Sequence, residues 1–118
     1  MRKILTFGIF DAIHPMPYLI EAHNVGDELY MCVLRDEDIE KTQGHLPKKD
    51  EKKRKRDIAI YFPDAFILLG DETEYIHIVE KIKPDVIVIE RDQKNIIIQL
   101  KKYIKEKKLD ISVKQIKI

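Results

Sequence analysis

The stretch KIKPDVIVIERDQ, residues 81–93, decides the fold. Between Asp85 and Glu90 every position is apolar and β-branched. It lacks the polar alternation of a half-exposed strand, so it predicts a central strand covered on both faces. Pro84 stops the preceding helix, because the residue before a proline is pushed out of the helical region. That helix, over 74–83, sets Tyr75, Ile76, Val79 and Ile82 on one face, with Thr73 as its candidate cap.

Outward from this strand, short apolar runs recur at 3–7, 28–34, 65–69 and 111–118, separated by segments of helical spacing. The alternation predicts a three-layer α/β/α sandwich, Rossmann-like, around a five-stranded parallel sheet. The last run, ISVKQIKI, mixes Ile111, Val113 and Ile116 with polar residues and predicts an edge strand. The helix over 94–107 places Ile96, Ile97, Leu100, Tyr103 and Ile104 in one stripe and leaves Ile98 facing water. In KKDEKKRKRDIAIYFPDA, 48–65, the first two turns are charged all round. The expectation there is a solvated helix start with only Ile58, Tyr61 and Phe62 packing inward and Ile60 pointing away.

The chain of 118 residues, net charge +1 and pI about 7.8 fits one domain, 1–118, with no global attraction to nucleic acid or membrane. Its single cysteine, Cys32, excludes an intrachain disulfide and sits in an apolar run as a core residue. No metal cluster can be built on it. The amino terminus is interrupted by Gly8 too early for a signal peptide, and no run approaches a membrane span. A cytoplasmic location is expected. Heavy use of Ile, Lys and Glu without Trp is thermophile-like or idealised.

Gly8 follows the first strand, where a missing Cβ lets the chain turn and lets backbone amides approach a phosphate. Around it, in order, stand FGIFDAIHP, EAHNVGDELY, LRDED, KTQGHLP, ILLGDE and KIKPDVIVIERDQ. Together these resemble the cytidylyltransferase-like nucleotidyltransferases, which include glycerol-3-phosphate cytidylyltransferase and the archaeal FAD synthetases, over nearly the whole chain.

The resemblance implies that Gly8, Ile9, Phe10 and Asp11 bind nucleotide, that His14 acts on the triphosphate, and that Lys41 or Arg54 neutralises charge. It also implies that Arg91, Asp92 and Gln93 lie beside the base and ribose, and that Mg²⁺ with CTP or ATP is used. Such transfer relies on positioned donors and cations. The family motif continues with a glycine and a second histidine, whereas this chain continues Met16-Pro17-Tyr18. Glu90 and Arg91 replace a glycine and tyrosine, and the family's C-terminal I-S-T-T segment has no counterpart before Ile118.

Two functions follow. In the first, the fold is a catalytically disabled and engineered scaffold that needs no cofactor and binds another protein. Its interface candidates are Met16, Pro17, Tyr18, Ile20, Ile60, His77 and Ile98. In the second, it is an active enzyme that transfers CMP or AMP to a small phosphorylated acceptor with release of pyrophosphate. A homodimer, which the resemblance also implies, is compatible with either.

Overall fold

A computed structural model of the chain describes residues 2–10, 20, 27–70, 75–90 and 94–116. Five strands, β1 (Lys3–Gly8), β2 (Glu28–Leu34), β3 (Phe66–Gly70), β4 (Val86–Glu90) and β5 (Ser112–Ile116), form one sheet in the order β3-β2-β1-β4-β5. Every pairing is parallel. The described helices with defined bounds are α1 (Asp36–Gln43), α2 (Glu51–Tyr61), α3 (Tyr75–Ile82) and α4 (Lys94–Glu106).

Strand alternation splits the core into two layers. Leu5, Phe7, Cys32, Leu34, Ile87 and Ile89 face α1, α3 and α4, packing with Ile39, Tyr75, Val79, Ile82, Ile96, Ile97 and Leu100. Ile4, Met31, Val33, Val86 and Val88 face the other way and pack with Ile58 and Phe62 at the end of α2. This is the three-layer arrangement that the sequence predicts, with β4 buried on both faces and β5 at an edge. Cys32 is fully buried. Among the described residues, no helix is long and apolar enough to cross a membrane.

Element ends move by a residue or two from expectation, since capping geometry sets them. α3 stops at Ile82 because Lys83 takes a left-handed φ of 54° and returns its N–H to the Val79 carbonyl at 2.9 Å. Pro84 then starts the run into β4. Asp85 ties three strands at that end. Its carboxylate accepts the Lys3 amide at 2.8 Å, its own amide reaches the Lys3 carbonyl at 2.8 Å, and its carbonyl accepts the Ser112 amide at 3.1 Å.

Three expectations for side chains change. Tyr61 does not pack inward but is 62% exposed, because Ile58 and Phe62, four apart, already fill the buried stripe of α2. Arg54, inside the run read as charged all round and solvated, is fully buried. Gly8 is the last residue of β1 rather than the turn, and the left-handed residue is Phe10, with φ 54°.

The use of glycine at position 8 has a different cause from the one the sequence suggests. A Cβ there would meet the Phe10 ring at 2.7 Å, because the left-handed turn at Phe10 lays its ring over Gly8. The ring is 4% exposed and belongs to the second core layer, so it cannot swing into solvent. Gly8→Ala is expected to cost about 1–3 kcal/mol as an overpacking substitution. Urea denaturation checks this, and an unchanged midpoint would show that the ring relocates freely.

Candidate functional site

In an open parallel sheet, ligands sit outside the carboxyl ends of the strands where the strand order reverses. Here that point lies between β1 and β4, which pair from Ile4↔Val86 to Phe7↔Ile89. Gly8, Ile9 and Phe10 lie at the exit of β1. In sequence, Arg91, Asp92 and Gln93 directly follow β4. Gly8, Ile9 and Phe10 therefore stand at the mouth of that crevice. Asp11, His14, Met16, Pro17, Tyr18 and 91–93 lie outside the described residues, as does Thr73.

The exit of β1 is held from below. Ile9 packs against one core layer and Phe10 inserts into the other, so consecutive residues are anchored on opposite faces of the sheet. Arg54 fixes the peptide between them, its Nη1 donating to the Ile9 carbonyl at 2.7 Å. Its Nη2 donates to Asp36 Oδ1 at 2.7 Å and its Nε to the Lys49 carbonyl at 3.0 Å. A left-handed non-glycine residue costs about 1–2 kcal/mol. A hydrogen bond to a charged group contributes about 1.5–3 kcal/mol, and the buried ring adds more. The strained turn at Phe10 is thus outweighed by what holds it.

Asp36 and Glu51, the first residues of α1 and α2, cap each other's helix. The Asp36 amide donates to Glu51 Oε1 at 3.2 Å, and the Glu51 amide donates to Asp36 Oδ2 at 3.1 Å. Each carboxylate also lies at the positive end of the opposite helix. Arg35 approaches Glu51 at 3.8 Å, so two cations balance two anions. Asp50 adds an ordinary N-cap, accepting the Lys53 amide at 2.8 Å. Beside this, the buried Asp38 carboxylate accepts the Tyr75 hydroxyl at 2.8 Å, and Phe7 meets the Tyr75 ring edge-on at 5.0 Å.

The segment leading into α2 is pinned from outside as well. Lys49 and Lys53 reach the two oxygens of Asp57 at 2.9 and 3.0 Å. Hydrogen bonds from Lys49 first, then Lys53, hold the Asp57 carboxyl below its ordinary value of 3.8. A depressed folded pKa gives stability that is present above the unfolded value and is lost as pH falls through the folded one. Asp57→Asn should therefore be less stable than the parent near neutral pH, with the gap closing at acid pH. Urea midpoints at a series of pH values below neutrality check this, and a gap that persists in full acid would contradict it.

Of the three charged residues given catalytic roles by the resemblance, His14 lies outside the described residues. Lys41 is exposed in the last turn of α1, about 7.5 Å along the helix axis from Asp36. Arg54 is buried with its donors turned to the protein. The two cations are thus not brought together. The sequence reading missed the crossed caps, whose only local trace is acid just after a strand and just before a helix (Asp36, Asp50 and Glu51), the usual mark of a helix start.

The interface candidates also separate. Ile60 is 76% exposed on α2, against one face of the sheet, while Ile98 is 64% exposed on α4, against the other. His77 is exposed on α3 and Ile20 is 44% exposed. Ile60 and Ile98 cannot share a patch across the sheet.

A family model described as cytidylyltransferase-like matches residues 5–117. FAD synthase of Methanobrevibacter smithii is 35% identical over 123 residues, covering 99% of this chain and 80% of that protein. FAD synthase of Archaeoglobus fulgidus is 35% identical over 119 residues, covering 97% and 83%. The match to FAD synthase of Methanosphaerula palustris is 39% over 93 residues, spanning 75% of this chain and only 58% of that protein. Among solved structures, the lipopolysaccharide core biosynthesis protein from Thermoplasma volcanium superposes with a TM-score of 0.77 at 31% identity, over 98% of this chain and 96% of that one. The FAD synthases overturn the expectation of a catalytically disabled protein-binding scaffold, because two of them match nearly the whole chain under an enzyme's name. Ile60 and Ile98 stand on opposite faces of the sheet, and exposed aliphatics are common on protein surfaces. With a family model matched from residue 5 to residue 117 and an all-parallel sheet in the order β3-β2-β1-β4-β5, the chain belongs to the cytidylyltransferase-like family.

Proposed function

We propose that this chain is an adenylyltransferase that joins AMP from ATP to a phosphorylated acceptor of the flavin mononucleotide class. The observation that carries this reading is the agreement of the FAD synthase relatives at 34–39% identity. An acceptor phosphate oxygen forms a bond to the α-phosphorus of ATP, the bond from that phosphorus to the bridging oxygen breaks, and pyrophosphate leaves with the electron pair.

The chain's part in this step is positional and electrostatic. The backbone from Gly8 to Asp11 cradles the nucleotide, and His14 donates to the triphosphate. Lys41, free of burial, is the cation able to reach solvent-side phosphates, whereas Arg54 acts from inside. Asp92 and Gln93 complete the base and ribose side. Mg²⁺ in such reactions is held by one or two carboxylates together with substrate phosphates and neutralises their charge. Asp11 is the carboxylate nearest in sequence to the turn. Among the described residues, no three His, Cys, Asp or Glu group as a protein-only cage.

Incubation with ATP, MgCl₂ and flavin mononucleotide, followed by chromatography, is expected to yield FAD and an equal amount of pyrophosphate. CTP in place of ATP should give far less product. Pyrophosphate release with other phosphorylated acceptors but not with flavin mononucleotide would reject the acceptor and keep the transfer. No product with any acceptor would reject both.

A further inference from the structure

The geometry points to Arg54 as a positioning residue, a latch by which the paired helix starts of α1 and α2 fix the backbone at Ile9 and Phe10, where β1 ends. This rests on the transferase reading for its consequence but not for its structural part. The latch has three ends. One guanidinium joins the Ile9 carbonyl at the exit of β1, the Asp36 carboxylate at the start of α1, and the Lys49 carbonyl before α2, all from a fully buried position.

The Ile9 carbonyl belongs to the peptide plane immediately before Phe10, so its direction and the left-handed φ of Phe10 are one choice. Turning that plane would break the 2.7 Å bond to Arg54 and lift the Phe10 ring from Gly8. Asp36 is in turn oriented by its exchange with Glu51, which makes the helix pair the fixed point and the loop the dependent part. Lysine cannot replace the arginine here, because a single ammonium lacks the planar fork that reaches a carbonyl and a carboxylate at once. Asp36 is bonded to the Arg54 guanidinium at 2.7 Å, so a change there reaches Ile9 through Arg54.

The test combines amide spectra of the ligand-free protein with calorimetry for Mg-ATP, at a temperature where circular dichroism shows each variant folded. Arg54→Lys and Arg54→Met are both expected to move the amide signals of Ile9 and Phe10 and to weaken ATP by about tenfold or more. Asp36→Asn, which keeps an acceptor oxygen, is expected to move the same signals by less. It carries the test alone if the Arg54 variants do not fold. Unmoved Ile9 and Phe10 signals in Arg54→Lys, or in Asp36→Asn when that variant stands alone, overturn the latch. Moved signals with unchanged ATP affinity overturn its positioning role and leave a merely structural one. Moved signals in a protein whose parent binds no ATP uphold the latch and reject the nucleotide reading instead.

Discussion

Arg54→Met lowers the unfolding free energy by about 3–4 kcal/mol, measured by urea denaturation at neutral pH. Methionine matches much of the arginine's length, so the loss is not a cavity effect. It arises because three acceptors made for one guanidinium are left behind: the Ile9 carbonyl, the Lys49 carbonyl and Asp36 Oδ1. Removing one partner of a buried pair costs about 3–5 kcal/mol. The Asp36 side chain keeps 24% exposure, so water recovers part of that charge and the estimate sits toward the lower end. Losing only a surface ion pair would cost about 0–1 kcal/mol, so a result below 1 would mean that Arg54 is solvated.

Arg54→Lys separates charge from shape. It keeps a cation for Asp36 but cannot serve both carbonyls, and a stability between parent and methionine variant is expected.

The reason Arg54 was not legible as a buried residue is distance along the chain. Two of its three partners lie 45 and 18 residues away, and helical periodicity sees only neighbours three and four apart. Set among Lys52, Lys53, Lys55 and Arg56, it has the local pattern of a solvated face. β4 is the opposite case. Its unbroken Val-Ile run needs no distant information to be read as central, and Val86 to Ile89 are all buried. The exposures of Ile60 and Ile98 were also readable from helical spacing, residue by residue. Which face of the sheet each helix covers was not, because that depends on strand order, and Ile60 and Ile98 stand on opposite faces. At the β1 exit the sequence pointed to Gly8, while the inner scaffold of Arg54, Asp36 and Glu51 became visible only once α1 and α2 were placed start to start.

Phe10 offers the sharpest reversal of ordinary substitution rules. Phe10→Ala removes a ring that is 4% exposed and packed in the second core layer, and is expected to cost about 3–5 kcal/mol. In most core positions glycine would be worse still, by about 0.5–1 kcal/mol, through the greater freedom of the unfolded chain. At φ 54° the sign changes. Alanine retains the left-handed strain of about 1–2 kcal/mol, and glycine is released from it. The two terms oppose, and the strain is the larger, so Phe10→Gly should be as stable as Phe10→Ala or more stable by up to about 1.5 kcal/mol. Paired urea denaturations of the two variants decide the point. If alanine is the more stable by the usual margin, the backbone at position 10 is not left-handed in solution, and the turn that directs the nucleotide loop must be placed at another residue.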